Sequence, residues 1–279
     1  MDPIVVAVVL CAAIFNATWN VVLKVGNDRL VRKALFNGFA GLIALAILPF
    51  VEMPVAAAWP YILASIAIHN LASLFLVFAY EHSDLGRVYP IARGGAPLFT
   101  IIGAALVAGE WLAPFQWGAV ALLAVGIMTL SLRRGGLPQD RWAAASALAT
   151  ALMITADSLV NGLGARVNGN AHSYVIWLFA LDWVPLLMIA GWRRRGSFRT
   201  AVQAHWVSGV IGGALSLAAY WMVVWAMTQA PIGLVAALRE TSVVFATLFA
   251  VVALRETVTR WQVLSIGLVL MGAVLLRVV

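Results

Sequence analysis

The chain is a succession of apolar runs, each 18 to 23 residues long, separated by short polar connectors. A helix needs about 20 residues, at about 1.5 Å each, to cross the hydrocarbon of a bilayer. Strands of a membrane barrel would alternate apolar and polar residues over about ten positions, and no stretch does so. A water-soluble fold has nowhere to put this much oil, since 63% of the residues are hydrophobic and only 10% are charged. Soluble domains hold about 45–50% and about 25%. The fold class that follows is an all-α integral membrane protein.

Ten transmembrane helices are expected, over residues 3–25, 34–51, 60–80, 88–108, 113–132, 142–164, 173–191, 206–228, 232–254 and 261–278. Connectors such as GNDRL, RRGGLPQD and QAPIG carry turn chemistry, and none could hold a soluble domain. Thirteen of the 18 Lys and Arg residues fall in alternate connectors, from Arg29, Arg32 and Lys33 to Arg255 and Arg260, while only Arg166 and Arg277 fall on the other side. The positive-inside rule makes the rich side cytoplasmic and both termini external. The net charge of +7 is therefore a topology signal and implies no nucleic-acid partner. Cys11, the only cysteine, leaves no disulfide or thiolate metal site. The opening MDPIVVAVVLCAAIF lacks a basic leader and reads as a first span rather than a cleaved signal peptide.

An offset of 146 residues pairs Arg93 with Arg239, Phe99 with Phe245, Glu110 with Glu256, Gln116 with Gln262 and Gly126 with Gly272. Chance seldom aligns Arg, Glu, Gln and Gly together in segments this apolar. The chain thus divides into a first five-span repeat, 1–134, and a second, 135–279. Five is odd, so the second copy enters the bilayer inverted, a construction of transporters whose substrate site lies near the midplane. Arg93 and Arg239 each lie about six residues beyond a glycine, Gly86 and Gly233, or about 9 Å into a helix. A charge buried at the helix centre costs about 2.5–3.5 kcal/mol. Either both arginines snorkel to headgroups, or they line the two mouths of a central cavity.

This layout resembles the drug/metabolite transporter (DMT) superfamily, in particular its ten-span EamA-type members. The resemblance rests on ALVAGEWLAPFQWGAVALLAVGI and AVVALRETVTRWQVLSIGLVLMG, each a helix tipped by Glu, a short turn and a closing helix with a late Gly. YPIARGGAP and ALRETSV are similar to the family's helix starts. The resemblance implies two inverted five-helix repeats, alternating access and a bacterial inner membrane. Branches such as the YddG-type exporters move aromatic and other amino acids, and sibling branches move cationic drugs, nucleotide sugars or sugar phosphates.

Helical spacing selects candidate cavity residues. Asn16, Asn20 and Lys24 form a polar stripe at i, i+4, i+8 in the first span, and an offset of 137 carries it to Met153, Asp157 and Asn161. Such residues either face a cavity or hydrogen-bond neighbouring helices. His69, Ser73, Leu76 and Tyr80 share a face, with Ser216, Tyr220, Val223 and Met227 as their mates and Trp225 adjoining. His69 is either a packed residue or a proton carrier. Trp59, Trp142, Trp192, Trp206 and Trp261 read as interfacial anchors. Asp157, Asp182 and Glu240 are the acids within spans. Each could take up a proton and couple flux to it, Asp157 first because it sits mid-span on the stripe.

Enzyme and pump chemistries find no motif. HExxH, a paired-Asp motif for isoprenoid diphosphates and GxxxxGK[ST] are absent, and GLGARVNG has Val167 where GxGxxG needs its last glycine. No cofactor is implied. The expectation is a secondary transporter exporting amino acids or related small metabolites, with protons as the candidate coupling ion. The alternatives are a multidrug or organic-cation exporter of the same fold, and a membrane-embedded lipid-modifying enzyme or scaffold.

Overall fold

The computed structural model describes residues 1–24, 29–82, 85–132, 141–196, 198–254 and 259–278. Within these it describes all side chains except those at 24, 29, 74, 76–82, 85–92, 131–132, 143, 199, 250, 252–254 and 277–278. Every expected span holds a helix: α1 (Pro3–Lys24), α2 (Arg29–Ile47), α3 (Trp59–His82), α4 (Leu85–Val107), α5 (Pro114–Leu132), α6 (Arg141–Asn168), α7 (Ala171–Arg193), α8 (Phe198–Gln229), α9 (Ile232–Arg239), α10 (Ser242–Leu254) and α11 (Arg260–Val278). No strand occurs among the described residues. Among the described residues six stretches are long and apolar enough to cross a membrane: Pro3–Leu23, Leu30–Phe50, Ala144–Asn168, Ala171–Arg193, Thr200–Gln229 and Ile232–Phe249. Arg93–Val107, Pro114–Leu130 and Arg260–Leu276 are shorter apolar helices.

The run at 232–254 differs from expectation, because it is two helices rather than one. Its RETS sequence supplies the reason. Hydroxyl side chains compete with the helical ladder by bonding nearby backbone groups, and Thr241 Oγ1 donates to the Leu238 carbonyl at 2.8 Å. Glu240 N and Thr241 N bond three residues back, to Ala237 and Leu238, which tightens the turn before α10 restarts at Ser242.

Helix pairs build the bundle: α3 on α6, α1 on α8 and α10, α2 on α7 and α8, α4 on α6, α5 and α9, and α5 on α11. In lipid such contacts depend on close van der Waals packing at small residues. A Cβ on Gly213 would lie 2.8 Å from Phe36 O and Ala40 N, so α8 rides on the backbone of α2 there. The outer surface carries Phe50, Leu106, Trp111 and Met188, each more than two-thirds exposed. Arg141, Arg195 and Arg260 lie over the rings of Trp142, Trp192 and Trp261 at 5.2–6.0 Å, pairing cation with aromatic at the arginine-rich end.

Candidate functional site

Inside the bundle α1, α2, α3, α4, α6, α7, α8 and α9 enclose a cavity of about 170 Å³. Nine of the expected residues line it: Asn16, His69, Ser73, Arg93, Asp157, Ser216, Tyr220, Val223 and Arg239. Lys33, Trp19 and Phe179 complete its character.

Asp157 projects from α6 into a fixed set of donors. Ser65 Oγ and Asn161 Nδ2 donate to its Oδ1, both at 2.8 Å, and the Tyr220 hydroxyl donates to Oδ2 at 3.0 Å. Asn161, one turn along α6, is held in turn by the Tyr174 hydroxyl at 3.1 Å. The i, i+4 spacing of Asp157 and Asn161 is thus used within one helix, while Ser65 and Tyr220 come from α3 and α8. Phe179 meets the Tyr220 ring edge-on at 5.1 Å, so the carboxylate sits among polar groups with an aromatic wall beside it.

His69 Nδ1 lies 2.9 Å from Asp182 Oδ2, and Asn70 Nδ2 donates to Asp182 Oδ1 at 3.0 Å. Asp182 is therefore paired with the neighbouring helix α3. The His69 imidazole also stacks near Tyr220, with centroids 6.5 Å apart.

Arg93 and Arg239 do not stand at separate mouths. Both reach one carboxylate oxygen, Glu240 Oε1, at 3.1 Å from Arg93 Nη1 and 3.3 Å from Arg239 Nη2. Glu240 is fully buried, at the interruption between α9 and α10. Arginine side chains are long enough to meet where α4 and α9 pack together, and that crossing cannot be read from depth along each helix.

At the end of the bundle opposite the arginine-rich connectors lies a second ionic cluster. Gly109 takes a φ of +68°, the left-handed geometry that glycine adopts freely. Glu110 N then bonds six residues back to Ala104 O, turning the chain at the end of α4. This presents the Glu110 carboxylate to Arg166 Nη1 at 2.6 Å and to the Ile232 N–H, which begins α9, at 2.7 Å. Arg166 also donates to Met227 O and Ala230 O at 2.8 and 2.9 Å. The ends of α4, α6 and α8 and the start of α9 are thereby tied together. Between this latch and the cavity lies an apolar plug that includes Val5, Val9, Met227, Ile232 and Val235.

The remaining expected residues stand apart from the lining. Asn20 Nδ2 donates to Asn16 O within α1, and Trp225 packs between two apolar clusters. The side chains of Lys24, Leu76 and Tyr80, and all of Glu256, lie outside the described residues. Lys33 is the residue that sequence reasoning missed. It was assigned to a connector, but α2 begins at Arg29, a turn earlier than expected, and carries Lys33 into the cavity with Nζ 4.9 Å from the Trp19 ring centroid. The basic start of RLVRKALFNG was the available signal.

Apolar helices around a charged interior define a multi-pass membrane protein. Residues 140–278 match the model of the EamA-like transporter family. That match speaks for a membrane transporter of small molecules rather than an enzyme. A solved structure described only as the crystal structure of a protein is similar over 99% of this chain and 96% of its own, with a TM-score of 0.78 at 18% identity. At that identity the likeness is one of fold. No curated protein matches the sequence.

Proposed function

We propose that the chain is a secondary transporter working by alternating access, with ten transmembrane helices in two inverted repeats, 1–134 and 135–279. Its cargo is a small zwitterion of the amino-acid type, exported across a bacterial-type inner membrane. The observation that carries the reading is the charge composition of the cavity. Lys33, Arg93 and Arg239 contribute three positive charges; Asp157 and the adjoining Asp182 and Glu240 contribute three negative ones. Among the described residues the sum is zero when His69 is neutral. A net ion would enter this low-dielectric interior uncompensated, at a cost of several kcal/mol by rough estimate. A zwitterion adds no net charge and finds both poles, its carboxylate at the arginines and its ammonium at Asp157. The Tyr220 and Phe179 rings suit an apolar or aromatic side chain, since small-molecule sites combine aromatic walls with a few placed polar groups.

Inverted repeats are supported by reciprocal contacts. A Cβ on Gly126 would meet Val269, and one on Gly272 would meet Leu123; the 146-residue offset exchanges these two pairs. Gln116 Oε1 accepts from Ala113 N and Gln262 Oε1 accepts from Thr259 N, the same turn at offset positions. Latch and plug at one end, with a polar cavity beyond them, fit a carrier closed at that end.

Counterflow tests the reading. Proteoliposomes preloaded with unlabelled phenylalanine or leucine should accumulate the labelled amino acid above protein-free vesicles. Exchange of organic cations in place of amino acids would transfer the cavity to the drug-exporter alternative, and no exchange of any solute would remove transport altogether.

A further inference from the structure

Glu240 is the most deeply buried charge at the cavity, with no exposed surface, and it is only half used. Its Oε1 takes both arginines, while its Oε2 has no hydrogen-bond partner among the described residues. A forked carboxylate–guanidinium pair uses both oxygens and is the strong form of this contact. Two guanidiniums sharing one oxygen at 3.1 and 3.3 Å are held more weakly than that. Arg93 and Arg239 themselves face the cavity, whereas Glu240 stands behind them.

We propose that Glu240 is a resident counter-anion that competes with the substrate's carboxylate for Arg93 and Arg239. The inference rests on the transport reading and deepens it: the group recognised at the arginines is a carboxylate, and its arrival loosens a contact that already exists. The location gives the exchange a consequence. Glu240 occupies the two-residue interruption between α9 and α10, and interrupted helices form the sites of several transporter folds. A substrate carboxylate that draws the guanidiniums away frees this joint, and leaving substrate returns them to Glu240.

Competition has a signature that a purely structural acid lacks. Counterflow of labelled phenylalanine into wild-type proteoliposomes is measured first, and its absence overturns both the transport reading and this one. With exchange established, Glu240→Gln removes the competitor, so the half-saturating phenylalanine concentration should fall three- to tenfold while the maximal exchange rate falls. Glu240→Asp, whose shorter carboxylate reaches the guanidiniums less well, should lower it in the same direction and decides the matter if Glu240→Gln does not assemble. A half-saturating concentration that is unchanged or raised overturns the competition, whatever happens to the maximal rate.

Discussion

Arg166 Nη1 lies 2.6 Å from Glu110 Oε1, joining the end of α6 to the turn that closes α4. Through the same two side chains the start of α9 and the carbonyls ending α8 are held. Breaking the latch should favour opening at that end. Val9, fully buried in the plug, provides the reporter: Val9→Cys in a Cys11→Ser background should react slowly with an impermeant maleimide. Adding Glu110→Gln should speed labelling about tenfold, equivalent to about 1.4 kcal/mol. Equal rates would mean that the pair does not hold this end closed.

Asp157→Asn keeps the shape of the side chain but removes its charge. A hydrogen bond to a charged group contributes about 1.5–3 kcal/mol, so affinity for a zwitterion should fall about 10- to 100-fold in counterflow or competition. Exchange unaffected by the substitution would remove Asp157 from recognition, and normal transport with an unchanged response to a proton gradient would remove it from proton coupling.

His69 supplies an expected pH dependence. Imidazole is the side chain that ordinarily changes charge between pH 5 and 8, and the groups facing His69 are Asp182, Lys33, Asp157 and Tyr220. Protonation adds one positive charge to a cavity that is otherwise balanced, which opposes the substrate's ammonium beside Asp157. The half-saturating concentration should therefore rise as pH falls across this range, and in His69→Gln it should be flat. A wild-type profile already flat, or a variant that keeps the slope, would contradict the assignment.

The α5–α11 interface makes a structural prediction. A Cβ on Gly272 would lie 2.7 Å from Ala119 O, whereas one on Gly267 of the same helix meets nothing within 4 Å. Overpacking against a backbone costs about 1–3 kcal/mol, so Gly272→Val should lower the Tm of the detergent-purified protein and Gly267→Ala should not. Equal Tm values would show that the two helices are not held this closely.

How much of this was legible in the sequence depends on the range of each interaction. Helices were legible because run length reports directly on bilayer crossing, and the break at RETS was hidden because only local hydroxyl bonding marks it. Asp157 and Asn161 were found by their spacing, being neighbours on a single helix. Glu240 as the common partner of Arg93 and Arg239, Ser65 as a donor to Asp157, and Arg166 as a latch were not legible, since each bridges helices whose crossing no linear pattern encodes. Lys33 was missed for a smaller reason, one turn of error at the start of α2. Trp225 shares the helical face expected of it, but neighbouring apolar clusters claim the ring.

The most direct measurement dissects the two charges of the cargo. Labelled phenylalanine counterflow into proteoliposomes is challenged with unlabelled phenylalanine, with phenethylamine, which lacks the carboxylate, and with 3-phenylpropionate, which lacks the ammonium. A cavity that reads both poles requires strong competition by phenylalanine alone, with each single-charge analogue at least tenfold weaker. Phenethylamine competing as well as phenylalanine would show that the arginines do not read a carboxylate, and the zwitterion assignment would fall.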